Sequence, residues 1–192
     1  MLGRFLLLSV CFFPCALEAQ SQSLPGVSSR PAILGTLEQG KYSNQVIGFE
    51  IQMDPACAFA DESRAIAFST QLPQRLNLAI RCEENLFVLS SFPLHADEEA
   101  NLARDAHVSL QGAMDAGGFK KRGHRQSLTI DGTDILAQEL MRHGSSGNEV
   151  GSYNAFMIGR RYVSILAIGP EANKAQLSRV ATTLKIEPSP TH

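Results

Sequence analysis

Lys120-Lys121-Arg122-Gly123-His124-Arg125 is the densest charged stretch of the chain. A run of this kind suits an anionic membrane surface, a glycan or an acidic protein, and Lys120, Lys121, Arg122 and Arg125 are the candidate contacts. The plainer reading is a solvated strand edge whose charges discourage sheet-to-sheet association. Gly117-Gly118 immediately precedes the run and would let it protrude. The remaining reactive side chains offer less. Gly144-Ser145-Ser146-Gly147 lacks the Gly-x-Ser-x-Gly spacing of a nucleophile elbow and sits between extended segments, where a loop suffices. His95, His107, His124, His143 and His192 are never two or four apart, and no Glu stands beside them in a metalloprotease spacing. Asp105 and His107 would fall on different faces of a helix. Asp97, Glu98 and Glu99 are explained by capping and by the helix dipole. No catalytic, cofactor-binding or metal-binding residue is assigned.

The cysteines are read through the first nineteen residues. Arg4 precedes an apolar run from Phe5 to Leu17, and Ala19 offers a small residue before the polar Gln20-Ser21-Gln22-Ser23. This is the layout of a secretory signal peptide over residues 1–19. Its cleavage removes Cys11 and Cys15 and leaves Cys57 and Cys82 in an oxidising compartment, secreted or periplasmic. A lipoprotein anchor at Cys11 is the less favoured reading, because Val10 stands where a small residue is wanted. Phe49, Ile51 and Met53 alternate, and Cys57 continues that parity; Leu76, Leu78, Ile80 and Cys82 alternate in the same way. Both thiols then face inward from extended segments, and a Cys57–Cys82 disulfide is expected. Two buried free thiols are the alternative.

Composition narrows the class of partner. The net charge is -2, and 44% of residues are hydrophobic, enough for a real core. Nucleic acid is not expected as a partner, since it selects a strongly basic footprint. The absence of Trp also argues against a surface that stacks sugars. Beyond the leader no apolar stretch reaches the roughly 18 residues of a transmembrane helix, so the mature chain is expected to be soluble.

The elements that must position these residues follow from period and punctuation. Residues 20–40, with many Ser, Gln, Pro and Gly near their start, read as a flexible leader, and order is expected from Lys41. Tyr42–Val46 and Gly48–Asp54 read as short strands, and Ser63–Phe68 is undecided between helix and strand. Arg75–Cys82 and Leu86–Phe92 form a hairpin stopped by Pro93. Asp97 is the expected N-cap of a helix in which Leu102, Ala103, Ala106, Leu110, Ala113 and Met114 share a face and Gly117-Gly118 ends the run. Asp131-Gly132 joins Phe119–Ile130 to Thr133–Arg142, a strong type I′ hairpin signal, and Gly159-Arg160 joins Glu149–Ile158 to Arg161–Ile168. Pro170 is placed in the first turn of a last helix, whose stripe is Leu177, Val180, Ala181 and Leu184. One domain over 41–187 and a disordered tail over 188–192 complete the reading. The fold class is α+β, an antiparallel sheet covered by two amphipathic helices.

This order of elements resembles the photosystem II extrinsic P-subunit-like (PsbP-like) sandwich family. Its carriers are Tyr42-Ser43-Asn44, Gly48-Phe49-Glu50-Ile51, Pro55, the helix near residues 97–116, Ile130-Asp131-Gly132 and Arg161-Tyr162-Val163. The resemblance spans roughly residues 41–186 and matches no motif with an assigned role, so it transfers no functional residue. It implies a small exported or lumenal protein that acts by binding or by assisting assembly. The expected function is a non-catalytic binding or assembly module for a protein or envelope component. A hydrolase with a site built from distant residues, or a small-molecule carrier, is the alternative.

Overall fold

The structure is a computed structural model, and it describes residues 35–60, 76–144 and 147–186. The signal-peptide and lipobox readings, Ser63–Phe68, Ser145-Ser146 and the 188–192 tail lie outside the described residues. In chain order the strands are β1 (Thr36–Glu38), β2 (Lys41–Asn44), β3 (Phe49–Gln52), β4 (Ala58–Phe59), β5 (Leu76–Cys82) and β6 (Asn85–Pro93). Helix α1 (Leu102–Gly117) follows, then β7 (Lys120–Ile130), β8 (Thr133–Gly144), β9 (Gly147–Ile158) and β10 (Arg161–Pro170). A 3-10 turn (Glu171–Asn173), helix α2 (Lys174–Thr183) and the short β11 (Lys185–Ile186) end the described chain.

The strands form two sheets. Seven of them run in the order β4-β5-β6-β10-β9-β8-β7, all neighbours antiparallel. The β8–β9 and β9–β10 hairpins carry the chain back so that β10 lies beside β6. The other four strands, β1-β2-β3-β11, form a small separate sheet. The expectation of one sheet is corrected here. Tyr42, Phe49 and Ile51 are buried against the large sheet face on, and Phe49 meets Phe156 edge-to-face at 6.0 Å between ring centroids. Burying whole aromatic rings against a sheet face gains far more apolar contact than extending the ladder by short strands.

Side-chain alternation divides the core in two. Leu78, Ile80, Leu89, Phe156, Val163 and Ile165 face the small sheet and Leu177 of α2. Leu140, Tyr153, Ala155, Tyr162 and Leu166 point the other way and meet Ala106 and Leu110 of α1. The strand period of two therefore feeds both faces of the same sheet. Arg142 fixes the end of α1: its Nη1 donates to the Gly117 carbonyl at 2.7 Å, and its guanidinium lies 4.6 Å from the centre of the Phe119 ring. A cation at a helix C-terminus also opposes the helix dipole.

Three boundaries differ from expectation. The flexible leader does not extend to residue 40, because Thr36–Glu38 already pairs with β2 through a Gln39-Gly40 turn in which both residues have positive φ. Asp97 is not the cap of α1; Asn101 is, its side chain accepting from the Arg104 amide at 3.0 Å. A turn holds residues 95–98 instead, with Glu98 accepting from the His95 amide. Pro170 ends β10 and precedes the 3-10 turn, so α2 begins only at Lys174. The Asp131-Gly132 and Gly159-Arg160 turns lie between paired strands as read.

Cys57 and Cys82 are joined by a disulfide with Cα atoms 4.1 Å apart and a sequence separation of 25. It ties the segment entering β4 to the end of β5. Among the described residues, no helix is long and apolar enough to cross a membrane.

Candidate functional site

The basic run forms the start of β7, an outer strand of the large sheet. Arg122 stands opposite Glu139 on β8, and the register then slips, so that Gln126 is the next paired residue, opposite Ala137. Gly123, with φ +69, supplies the left-handed conformation that this bulge requires. Gln138 holds it closed: its buried amide donates to the carbonyls of Arg122 at 3.1 Å and of Glu139 at 2.9 Å. A bulge frees backbone carbonyls, and a buried one needs a donor.

Alternation separates the four candidate cations. Lys121 lies opposite Leu140, which faces α1, whereas Arg122 shares the face of Glu139 beneath α2. Arg125 belongs to the bulge and acts electrostatically on Tyr153, on the α1 side. The run is thus not one patch. Arg122 is tied in place: its Nη1 donates to Glu171 Oε1 at 2.7 Å, and its Nε lies 3.4 Å from Glu139 Oε1. Glu171 also accepts from Asn148 at 3.2 Å. The hydrogen bond from Arg122 holds the Glu171 carboxyl below its ordinary range, with Asn148 assisting. Lys120, Lys121 and Arg125 are exposed and have no ion pair among the described residues.

Behind Arg122 a cleft of about 290 Å³ opens between β7–β9 and α2. Arg122, Gln126, Glu139, Asn154, Lys174 and Leu177 are among its lining residues. Lys174 Nζ lies 2.8 Å from Glu139 Oε1; that is an ion-pair separation, without the alignment of a hydrogen bond. Asn154 is 1% exposed, and its Nδ2 donates to Ser152 Oγ at 3.2 Å. Its Oδ1 is buried without a hydrogen-bond partner among the described residues. Glu139 is enclosed by two cations, which suits it to charge compensation. Of these cleft residues the sequence singled out only Arg122, as a candidate contact, and Leu177, as a core position of the last helix. The available signal was Asn154, an inward-facing amide inside the apolar β9.

On the opposite face, under α1, Tyr153 and Tyr162 hydrogen-bond through their hydroxyls at 2.6 Å, and Tyr162 stacks on Phe92 at 4.9 Å. Burial raises both phenols, and for Tyr162 the neighbouring Tyr153 adds to the effect. Both stay neutral at ordinary pH, so the pair holds the core together and offers no base.

No protein-family model and no curated protein sequence matches the chain. Solved structures do. The solution structure of cyanobacterial PsbP (CyanoP) from Synechocystis sp. PCC 6803 is similar with a TM-score of 0.58 at 11% identity, over 80% of this chain and 95% of that one. A crystal structure from Bacteroides thetaiotaomicron is similar with a TM-score of 0.51 at 11% identity, over 79% of this chain and 49% of that one. The Saccharomyces cerevisiae Ran-binding protein Mog1p aligns with a TM-score of 0.45 at 11% identity. At such identities the likeness is one of fold, and the fold is PsbP-like.

Proposed function

We propose that this chain is an exported, non-catalytic binding module that engages an acidic protein of the envelope through the β7 edge. The observation that carries the reading is the contrast along β7. Arg122 is ion-paired with Glu171 and Glu139, while Lys120, Lys121 and Arg125 remain exposed without ion pairs among the described residues. Charges left uncompensated on an outer strand steer an oppositely charged partner and set its orientation. Export is supported by the signal-peptide layout of residues 1–19, and the Cys57–Cys82 disulfide is compatible with an extracellular or lumenal setting. The PsbP-like fold supports a binding or assembly role for the domain.

The test is recovery of interacting proteins from the native envelope fraction, with the wild-type chain against the triple variant Lys120→Gln, Lys121→Gln, Arg125→Gln. An acidic partner retained by the wild type, eluted by moderate salt and lost with the variant supports the proposal. Equal retention by both chains refutes it. Sequencing the N-terminus of the exported protein checks the compartment, with Gln20 expected as the first residue.

A further inference from the structure

The cleft beneath α2 is separate from the β7 outer surface, and its chemistry points to a different ligand. We propose that it binds a small zwitterion, a free α-amino acid or a short peptide, with the carboxylate on Arg122 and Lys174 and the ammonium on Glu139 and Asn154. Both signs of charge are present. Arg122 and Lys174 flank the Glu139 carboxylate at 3.4 Å and 2.8 Å. A simple anion would meet Glu139 between the two cations and gain little. A neutral sugar would seek an aromatic wall, and among the described residues the lining contains no Phe, Tyr or Trp.

Asn154 supplies the decisive second feature. In the amide orientation of the structure, its Oδ1 is a buried acceptor with no donor among the described residues, on a residue 1% exposed. Leaving such a group unpaired is costly, and a ligand N–H would relieve the cost. Glu139, whose Oε1 is ion-paired with Lys174 and Arg122, supplies the negative charge that faces the ligand ammonium. Leu177 gives an apolar wall for a side chain. The cleft volume of about 290 Å³ lies at the small end of ligand sites, which start near roughly 300 Å³, and admits an amino acid or dipeptide.

Calorimetric titration of the mature protein tests this with L-alanine, L-leucine, L-glutamate, L-lysine and glycylglycine as individual probes. Saturable binding of at least one probe at one site per chain is expected, with N-acetyl-L-alanine amide silent. Preference between the amino acids and glycylglycine identifies which kind of zwitterion fills the cleft. Lys174→Gln, on the exposed side of α2, and Asn154→Leu, similar in volume, should each weaken binding by about tenfold or more, as expected for a charge-assisted or buried contact. The Lys120, Lys121 and Arg125 triple variant should bind the probes as the wild type does, which separates this site from the partner surface. No saturable binding by any probe, equal binding of the capped amide, or a loss smaller than tenfold in the folded Lys174→Gln protein overturns the proposal.

Discussion

The side chain of Asn85 occupies the space that a Cβ on Gly169 would need. Asn85 is buried at the β5–β6 turn; its Nδ2 donates to Gln176 at 3.1 Å, and its Oδ1 accepts from Asn173 at 3.1 Å. A methyl group at position 169 would collide with that Oδ1 and break the link between the turn and α2. Gly→Ala normally stabilises an unstrained position by about 0.4–1 kcal/mol. Gly169→Ala should do the reverse, costing about 1–3 kcal/mol by overpacking. Urea denaturation of the two proteins decides it; equal or higher stability in the variant would mean that the network yields without cost.

Leu110 and Val108 lie two residues apart on α1 and face opposite ways. Leu110 is 1% exposed against the large sheet, and Val108 is 66% exposed. Leu110→Ala should cost about 2–5 kcal/mol through lost burial and a residual cavity. Val108→Ala should change stability by no more than about 0.5 kcal/mol. Similar losses at both positions would place α1 differently on the sheet.

All three tyrosines of the chain are buried in the fold, and it has no Trp to obscure them. Burial pushes Tyr42 up to about 12 and raises Tyr153 and Tyr162 as well. The neutral phenols are favoured by the fold. Their contribution is therefore fully present below the unfolded value of about 10 and is lost as pH rises through the folded value. At about pH 11 the native protein should show little phenolate absorbance and the denatured protein most of it. Full ionisation at that pH without loss of secondary structure would contradict the burial of the three rings.

Non-reducing peptide mapping of the exported protein should recover Cys57 linked to Cys82. Replacing both by Ser should lower stability by about 3–4 kcal/mol, the chain-entropy expectation for a loop of 25 residues. Two alkylatable thiols in the native protein would remove the bridge and weaken the argument for an oxidising compartment.

Local signals were legible wherever one short stretch was sufficient. Asp131-Gly132 specifies its hairpin because both residues adopt positive φ, and the 3.6-residue spacing of Ala106 and Leu110 marks the buried face of α1. The parity of Cys57 and Cys82 carried the disulfide, since inward-facing positions on paired segments meet. The start of α1 was misread because Asp97 and Asn101 are both good caps. The choice fell to Asn101 once Glu98 and His95 had closed a turn of their own.

The cleft belongs to the other category. Arg122, Asn154 and Lys174 come from an outer strand, an inner strand and a helix, and nothing in any one segment points to the other two. The bulge after Arg122, the register of β8 on β9 and the seat of α2 bring them together. Periodicity along the chain determined which residues are inside, where the chain turns and the α+β class. Which inside face each residue serves, the division into two sheets, and the splitting of the basic run into an anchored Arg122 and exposed Lys120, Lys121 and Arg125 were decided by tertiary packing. The reason is that register between strands and the docking of a helix depend on contacts between distant residues, which no local pattern encodes.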